Sequence, residues 1–297
     1  MEEKKNHSYG NVLLTILCVI LILYTVIFFI PILWSLITTL KDYKIYRLAT
    51  ARKDVELMLG LNNMTFENFA MAFTEFKIPV LDGSVHVTEM FLNSILYAGG
   101  CALVNTMVPC VVAYLVARYD YALGKIVYGI VLVTMAIPIV GSLPSEIAMV
   151  ERLNLMDSVF GLYVLKANFL GIYFLVFYAQ FKAIPKDFTE AAEIDGASDA
   201  HIMLNIIFPI AMGTITTVIL LNFITYWNDY QIPMIYWESR PVVAYGMYYF
   251  VRVTQGQMGA TPVKLSAMII VAIPIIVLFL IFNQKIMANM SIGGVKG

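Results

Sequence analysis

Charge is scarce in this chain. Of 297 residues only 13% are Asp, Glu, Lys or Arg, and the formal net charge is −1. A soluble domain carries about 25% charged residues, so the shortage argues against a water-surrounded fold. A balance so near neutral also leaves no basic footprint for nucleic acid. Histidine is rare: His7, His86 and His201 are scattered and make no metal-ligand spacing. The three cysteines, Cys18, Cys101 and Cys110, all lie inside apolar runs. An odd number there argues against a disulfide framework and for small core side chains. No phosphate-binding G-x-x-x-x-G-K-[ST] pattern occurs; Gly124-Lys125 is followed by Ile126 and lacks the earlier glycine. No Ser/His/Asp constellation is visible. Any nucleotide hydrolysis that serves this chain must come from another polypeptide.

What the chain has instead is apolar length. Hydrophobic residues make up 60% of it and the mean hydropathy is +0.80. A bilayer core of about 30 Å needs about 20 mainly apolar residues as helix. Charge-free windows run over 6–40, 90–117, 126–145, 167–181, 202–228 and 265–284. The fourth is short unless its helix begins near Ser158 and takes in Lys166. Six transmembrane helices is the economical expectation, because a spanning segment in lipid must pair its own backbone. The first run is too long for a signal h-region and has no A-x-A-like cleavage site before Pro31, so it is expected to stay as a span. Pro31, Pro109, Pro138, Pro209, Pro233 and Pro274 fall in or near the spans as kinks and ends.

Between the fourth and fifth spans lies a charged segment, Glu190-Ala-Ala-Glu-Ile-Asp-Gly-Ala-Ser-Asp-Ala-His201. Pro185 suits a first helical position, where its missing N–H costs nothing. Asp187 and Glu190 then stand near a helix N-terminus, favourable for carboxylates. Ala191 and Ala192 keep one face small enough for another protein to approach. Asp195-Gly196 predicts a helix stop with Gly196 left-handed, and Ser198 predicts the cap of a second short helix. The spacing therefore predicts helix, sharp turn, helix. A connector lying on headgroups would be rich in Lys and Arg. This one carries Asp187, Glu190, Glu193, Asp195 and Asp199 against Lys182 and Lys186, which favours a protein socket.

Glu190-Ala191-Ala192, Gly196 six positions after the Glu, then Ile206 and Pro209 resemble the EAA signature of membrane subunits of ABC importers. The usual Leu before that Pro is Phe208 here. Other stretches are similar to the carbohydrate-uptake, maltose-type branch. These are Trp227-Asn228-Asp229-Tyr230 with Pro233, Ala113-Tyr114 with Ala117-Arg118, Asn93-Ser94, and the tail Gly293-Gly294-Val295-Lys296-Gly297. The resemblance covers most of the chain and is most specific in its second half. Over 41–76 it is loose, carried by Thr65-Phe66-Glu67-Asn68-Phe69. It implies an all-α integral membrane protein with the type I ABC importer permease fold. It also implies an ATPase-coupling site at Glu190, Ala191, Ala192, Asp195, Gly196 and Ala197, and an ATPase-docking tail at Gly293, Gly294, Lys296 and Gly297. The partners it implies are a second homologous permease, two ATPase subunits holding ATP and Mg²⁺, an extracytoplasmic solute-binding protein and membrane lipid, with no nucleic acid. No cofactor is expected on this chain.

The resemblance also sets the topology. If the Glu190 loop meets a cytoplasmic ATPase, both termini are cytoplasmic by parity. The expected organisation is a first span over 1–40, an extracytoplasmic segment over 41–88, a five-helix core over 89–285 with its coupling loop at 182–203, and a tail over 286–297. Loop charge opposes this: eight Lys and Arg fall inside against ten outside, with Lys166 in a span completing the nineteen. Several of the outside positives lie in longer segments, which weigh less in the positive-inside rule, and the motif decides.

Solute-pathway candidates are Lys166, Tyr173, Phe177, Asn222, Trp227 and Asn228. Lys166 is expected to snorkel to the interface or to donate to a passing hydroxylated solute. Asn93, Asn105 and Asn222 read first as interhelical glue. The aromatics of the fourth span read first as lipid-facing and interfacial rings. A self-contained secondary transporter is the rival reading; it calls for broken helices at matching places in inverted halves, and no such repeat is evident. An importer for a non-sugar solute is a second rival. A membrane enzyme stands further off, for want of a catalytic constellation.

Overall fold

The computed structural model describes residues 2–60, 62–81, 83–137, 141–253 and 259–290. In chain order these form α1 (Glu2–Thr39), α2 (Tyr43–Arg52), α3 (Val55–Leu59), α4 (Glu67–Glu75), β1 (Lys77–Val80), β2 (Gly83–His86), α5 (Val87–Arg118), α6 (Ala122–Ala136), α7 (Leu143–Arg152), α8 (Val159–Lys166), α9 (Ile172–Ala183), α10 (Asp187–Ile194) and α11 (Asp199–Ile202). A π-helical turn, Met203–Ile207, leads into α12 (Phe208–Trp227), followed by α13 (Gln231–Tyr236), α14 (Val243–Val253) and α15 (Thr261–Met290).

Four described stretches are long and apolar enough to cross a membrane: Leu14–Thr39, Val87–Arg118, Asp199–Trp227 and Thr261–Phe282. They coincide with the first, second, fifth and sixth predicted spans. The third and fourth windows hold the shorter apolar helices Ala122–Ala136 and Ile172–Ala183. At 1.5 Å per residue these reach only about 22 and about 18 Å. Ser158 begins the fourth span as expected, capping α8 through the Gly161 N–H. The helix stops at Lys166, however, and resumes at Ile172 after Gly171, whose φ of 125° no ordinary residue adopts easily. The expected single helix is thus two pieces. The other departure from all-helix is a β-hairpin, with Ile78 opposite Val85. Pro79 is tolerated there because a two-stranded ribbon is all edge.

The chain divides into two compact units. One comprises 1–76 and 249–270, the other 77–248 and 271–297. In the first, the chain leaving α1 is pinned by Asn68, whose Nδ2 donates to the carbonyls of Thr39 (2.7 Å) and Lys41 (2.6 Å). Asp42 and Asp54 cap α2 and α3, and Phe76 packs on Phe250 at 4.9 Å between ring centroids. The long exposed face of α1 is left for lipid.

The second unit is built on α5, against which α6, α8, α9 and α12 pack. Small residues permit the close approach that helices in lipid need. Gly100 lies directly under the ring of Tyr163, whose hydroxyl donates to the Leu96 carbonyl at 2.8 Å. One core cluster gathers Tyr114, Phe174, Phe177, Phe181 and Phe208 with Ala192 and Ile202. Another gathers Tyr97, Leu162, Tyr226, Trp227, Tyr236 and Trp237. The first supports the loop after α9; the second supports the far end of α12.

Candidate functional site

The segment after α9 folds as its residues dictate. The helix starts at Asp187, with Lys186 as N-cap; Pro185 therefore precedes the cap rather than opening the helix, a shift of two positions from the expectation. Asp187 and Glu190 occupy the first turn, where the helix dipole favours them. At the other end the Gly196 N–H donates to Glu193 O and the Ala197 N–H to Ala192 O, both at 3.0 Å. With Gly196 at φ 77°, this is a Schellman closure, which satisfies the last carbonyls by turning the chain sharply back. The Ser198 side chain then accepts from the His201 N–H and caps α11.

The two alanines part company. Ala192 is 7% exposed and belongs to the core cluster with Phe181 and Phe208, and Ala197 packs half-buried against that cluster. Ala191 is exposed. Successive helical positions are about 100° apart, so they cannot share one small face; the expectation that both present it is corrected here. Ala192 anchors the elbow and Ala191 faces out. The outer surface also carries two residues that the sequence reading passed over, Phe188 at 49% and Ile194 at 86% exposure. Apolar side chains so bare, amid Glu190, Glu193 and Asp195, form a small acidic-rimmed patch suited to a protein partner. Their signal was present: two large apolar residues in a loop too acidic for anionic lipid. Asp199 reaches Tyr119 at the end of α5. Burial, then Tyr114 and the Asp199 carboxylate, push the Tyr119 hydroxyl up, keeping it a donor at neutral pH.

The solute-pathway candidates do not form one lining. Phe177 is fully buried and Trp227 is 2% exposed, each inside a core cluster. The Trp227 Nε1 is buried with no hydrogen-bond partner. Asn222 joins α12 to α5: its Nδ2 donates to Thr106 Oγ1 at 3.0 Å, and it accepts from Asn105 Nδ2 at 3.2 Å. Asn228 is exposed and donates to the Ile224 carbonyl. Tyr173 is half-buried on α9. Lys166 is half-buried, with its ammonium 5.9 Å from the centroid of the Tyr226 ring near the end of α12. Asp229, unmarked before except within its motif, turns out to be the organiser of this end. It accepts from Tyr97 OH at 2.7 Å and from the N–H groups of Gln231 and Ile232, so it both caps α13 and ties it to α5. The tail candidates Gly293, Gly294, Lys296 and Gly297 lie outside the described residues. Among the described residues no cluster of His, Cys, Asp and Glu could hold a metal.

Comparison with known proteins bears on this geometry. Residues 110–290 match the family described as the binding-protein-dependent transport system inner membrane component. The chain is 25% identical over 282 residues to the diacetylchitobiose uptake system permease protein NgcG of Streptomyces coelicolor, covering 92% of this chain and 86% of that protein. It is 28% identical over 278 residues to the trehalose transport system permease protein SugB of Mycobacterium tuberculosis, covering 90% and 92%. A crystal structure of a bacterial ABC transporter that imports the acidic polysaccharide alginate holds a chain of similar fold. The TM-score is 0.71 at 21% identity, over 90% of this chain and 94% of that one.

Proposed function

The chain belongs to the family of binding-protein-dependent transport system inner membrane components, and from that premise we propose that it forms half of the translocation path of an ABC importer for a sugar or oligosaccharide. The relatives at 25% and 28% identity are named for diacetylchitobiose and trehalose uptake, which supports a carbohydrate cargo. In this reading the chain is a multi-pass membrane protein with both termini in the cytoplasm. A second permease completes the path, two ATPase subunits carry ATP and Mg²⁺, and an extracytoplasmic binding protein delivers solute. This chain contributes movement and no hydrolytic chemistry.

The observation that carries the reading is the elbow at 187–202: rigidly closed at Gly196, anchored inward by Ala192, and bare at Phe188, Ala191 and Ile194. A knob held by its own core transmits force instead of yielding to it. Closure of the ATPases would move the elbow and, through α12, bias the bundle between inward- and outward-open states. The coupling need only be a differential affinity for those two states. The test is co-purification of the ATPase with the assembled complex. In this reading Glu190 meets a basic residue of the ATPase, as the resemblance implies, so Glu190→Ala is expected to weaken retention at least tenfold, truncation of one partner of a buried interfacial charge pair costing about 2–5 kcal/mol. Unchanged retention with full solute-stimulated ATP hydrolysis would refute the elbow as the coupling site, and solute uptake by the purified chain without any ATPase would favour a self-contained transporter.

A further inference from the structure

At the elbow end of the second unit lies a cavity of about 400 Å³ between the α5–α6 turn and the end of α9, within the range of about 300–1,000 Å³ usual for ligand sites. Its walls carry four cations, Arg118, Lys125, Lys182 and Lys186, and one acid, Asp120. Asp120 is already engaged by Lys125 at 3.1 Å. Among the described residues no carboxylate pairs with Arg118, Lys182 or Lys186. The Arg118 Nε and Nη2 are buried without hydrogen-bond partners. Arg118, Lys182 and Lys186 thus leave three cationic donors for an anion entering the cavity, while Asp199, which touches the wall at Tyr119, is held by that hydroxyl. The remaining wall joins Tyr119, Tyr121, Tyr128 and Tyr178 to small apolar residues, and Lys182 stands 5.8 Å over the Tyr178 ring.

We propose that this cavity binds a phosphate-bearing anion, and that its source is the headgroup of an anionic phospholipid of the leaflet facing the ATPase. Depth and surroundings favour the lipid over a free phosphate. The cavity sits where α5 ends and α6 begins, and tyrosines there mark the headgroup level. Gly124 and Lys125 line it from the first turn of α6. The same helix exposes Leu123, Ile126, Ile130 and Val133 on the face turned away from Gly124, Lys125 and Tyr128, so α6 meets lipid beside the cavity and not across it. Basic pockets between spans on the cytoplasmic side are suited to such headgroups. Lys186 is also the N-cap of α10, so the headgroup would brace the root of the elbow. The leaflet assignment rests on the topology proposed above; the site itself does not.

The experiment uses the assembled complex in nanodiscs, with phosphatidylglycerol and phosphatidylcholine competing for sites counted by native mass spectrometry. Wild type is expected to retain phosphatidylglycerol preferentially. Each lysine near an anionic surface is worth a factor of about five, so K182Q/K186Q should lower that preference about twenty-five-fold, while K125Q, whose partner is Asp120, does less. Retention of both lipids alike, or a preference untouched by K182Q/K186Q, overturns the proposal. So does inorganic phosphate binding in detergent without any lipid preference, which makes the ligand a soluble anion. Loss of the ATPase with lipid retention unchanged overturns it too, by assigning the cations to a protein partner. A lipid preference together with elbow labelling from outside would leave the site standing and sink the topology.

Discussion

Two adjacent glycines of α5 separate packing from propensity. A methyl group at Gly99 would meet nothing within 4 Å, whereas at Gly100 it would fall on the Tyr163 ring and break the bond from that hydroxyl to Leu96. Overpacking of this kind costs about 1–3 kcal/mol, so Gly100→Ala should lower the thermal midpoint by several degrees and Gly99→Ala should not; equal midpoints in detergent would refute the contact. Asn222 poses a different question at the same scale. If it is glue between α12 and α5, Asn222→Ala should cost about 1 kcal/mol, two bonds at the modest value typical inside membranes, with the transport KM unmoved. A KM rising several-fold at unchanged stability would return Asn222 to the solute path. Its type and position were legible in the sequence; its partners were not, because Asn105 and Thr106 lie more than a hundred residues away and only packing reveals them. Phe177 and Trp227 failed to be legible for a related reason. Their helices are apolar nearly all round, so no stripe distinguishes the face toward lipid from the face toward protein.

The elbow was readable almost residue by residue because each part is a local device. A first-turn acid, a left-handed glycine and a serine cap act within four positions of themselves. The α8–α9 break was less readable, since an uninterrupted apolar window gives no sign that the backbone turns at Gly171. Nor did composition announce the π turn at Met203–Ile207, which joins α11 to α12. A π turn carries one residue more than an α-helix would, and such bulges cluster at functional sites. Here it lies at the junction between the elbow and α12. Deleting Asn205 should restore α geometry and repack the junction between the elbow and α12. The expected outcome is a complex that assembles and hydrolyses ATP but no longer answers to solute. Measured stimulation of hydrolysis by loaded binding protein would fall to the basal rate, and retained stimulation would show that the turn is mere packing slack.

For the whole molecule the open physical conflict is between loop charge and loop shape. Counting Lys and Arg places the elbow outside; the proposed function, supported by its acidity and by bare Phe188 and Ile194, requires it to face a cytoplasmic ATPase. The positive-inside rule weighs short loops close to span ends. Several of the opposing charges instead sit on folded pieces: Arg47 and Arg52 on α2, and Lys53 at its C-cap. The chain itself offers a clean test. Cys101 and Cys110 are buried, and Cys18 lies on the lipid-facing span, so a membrane-impermeant maleimide should find almost no native target. Two positions in the second unit are far more accessible, Leu81 at the hairpin tip (97% exposed) and Ile194 on the elbow (86% exposed). One end of α5 adjoins the hairpin and the other the α5–α6 turn, so a membrane-spanning α5 puts the two probes on opposite sides. In intact cells Leu81→Cys should label fully, and Ile194→Cys only after the membrane is opened, with the ATPase then shielding it further. Labelling of Ile194→Cys from outside would invert every loop at once and leave the ATPase nothing to grip.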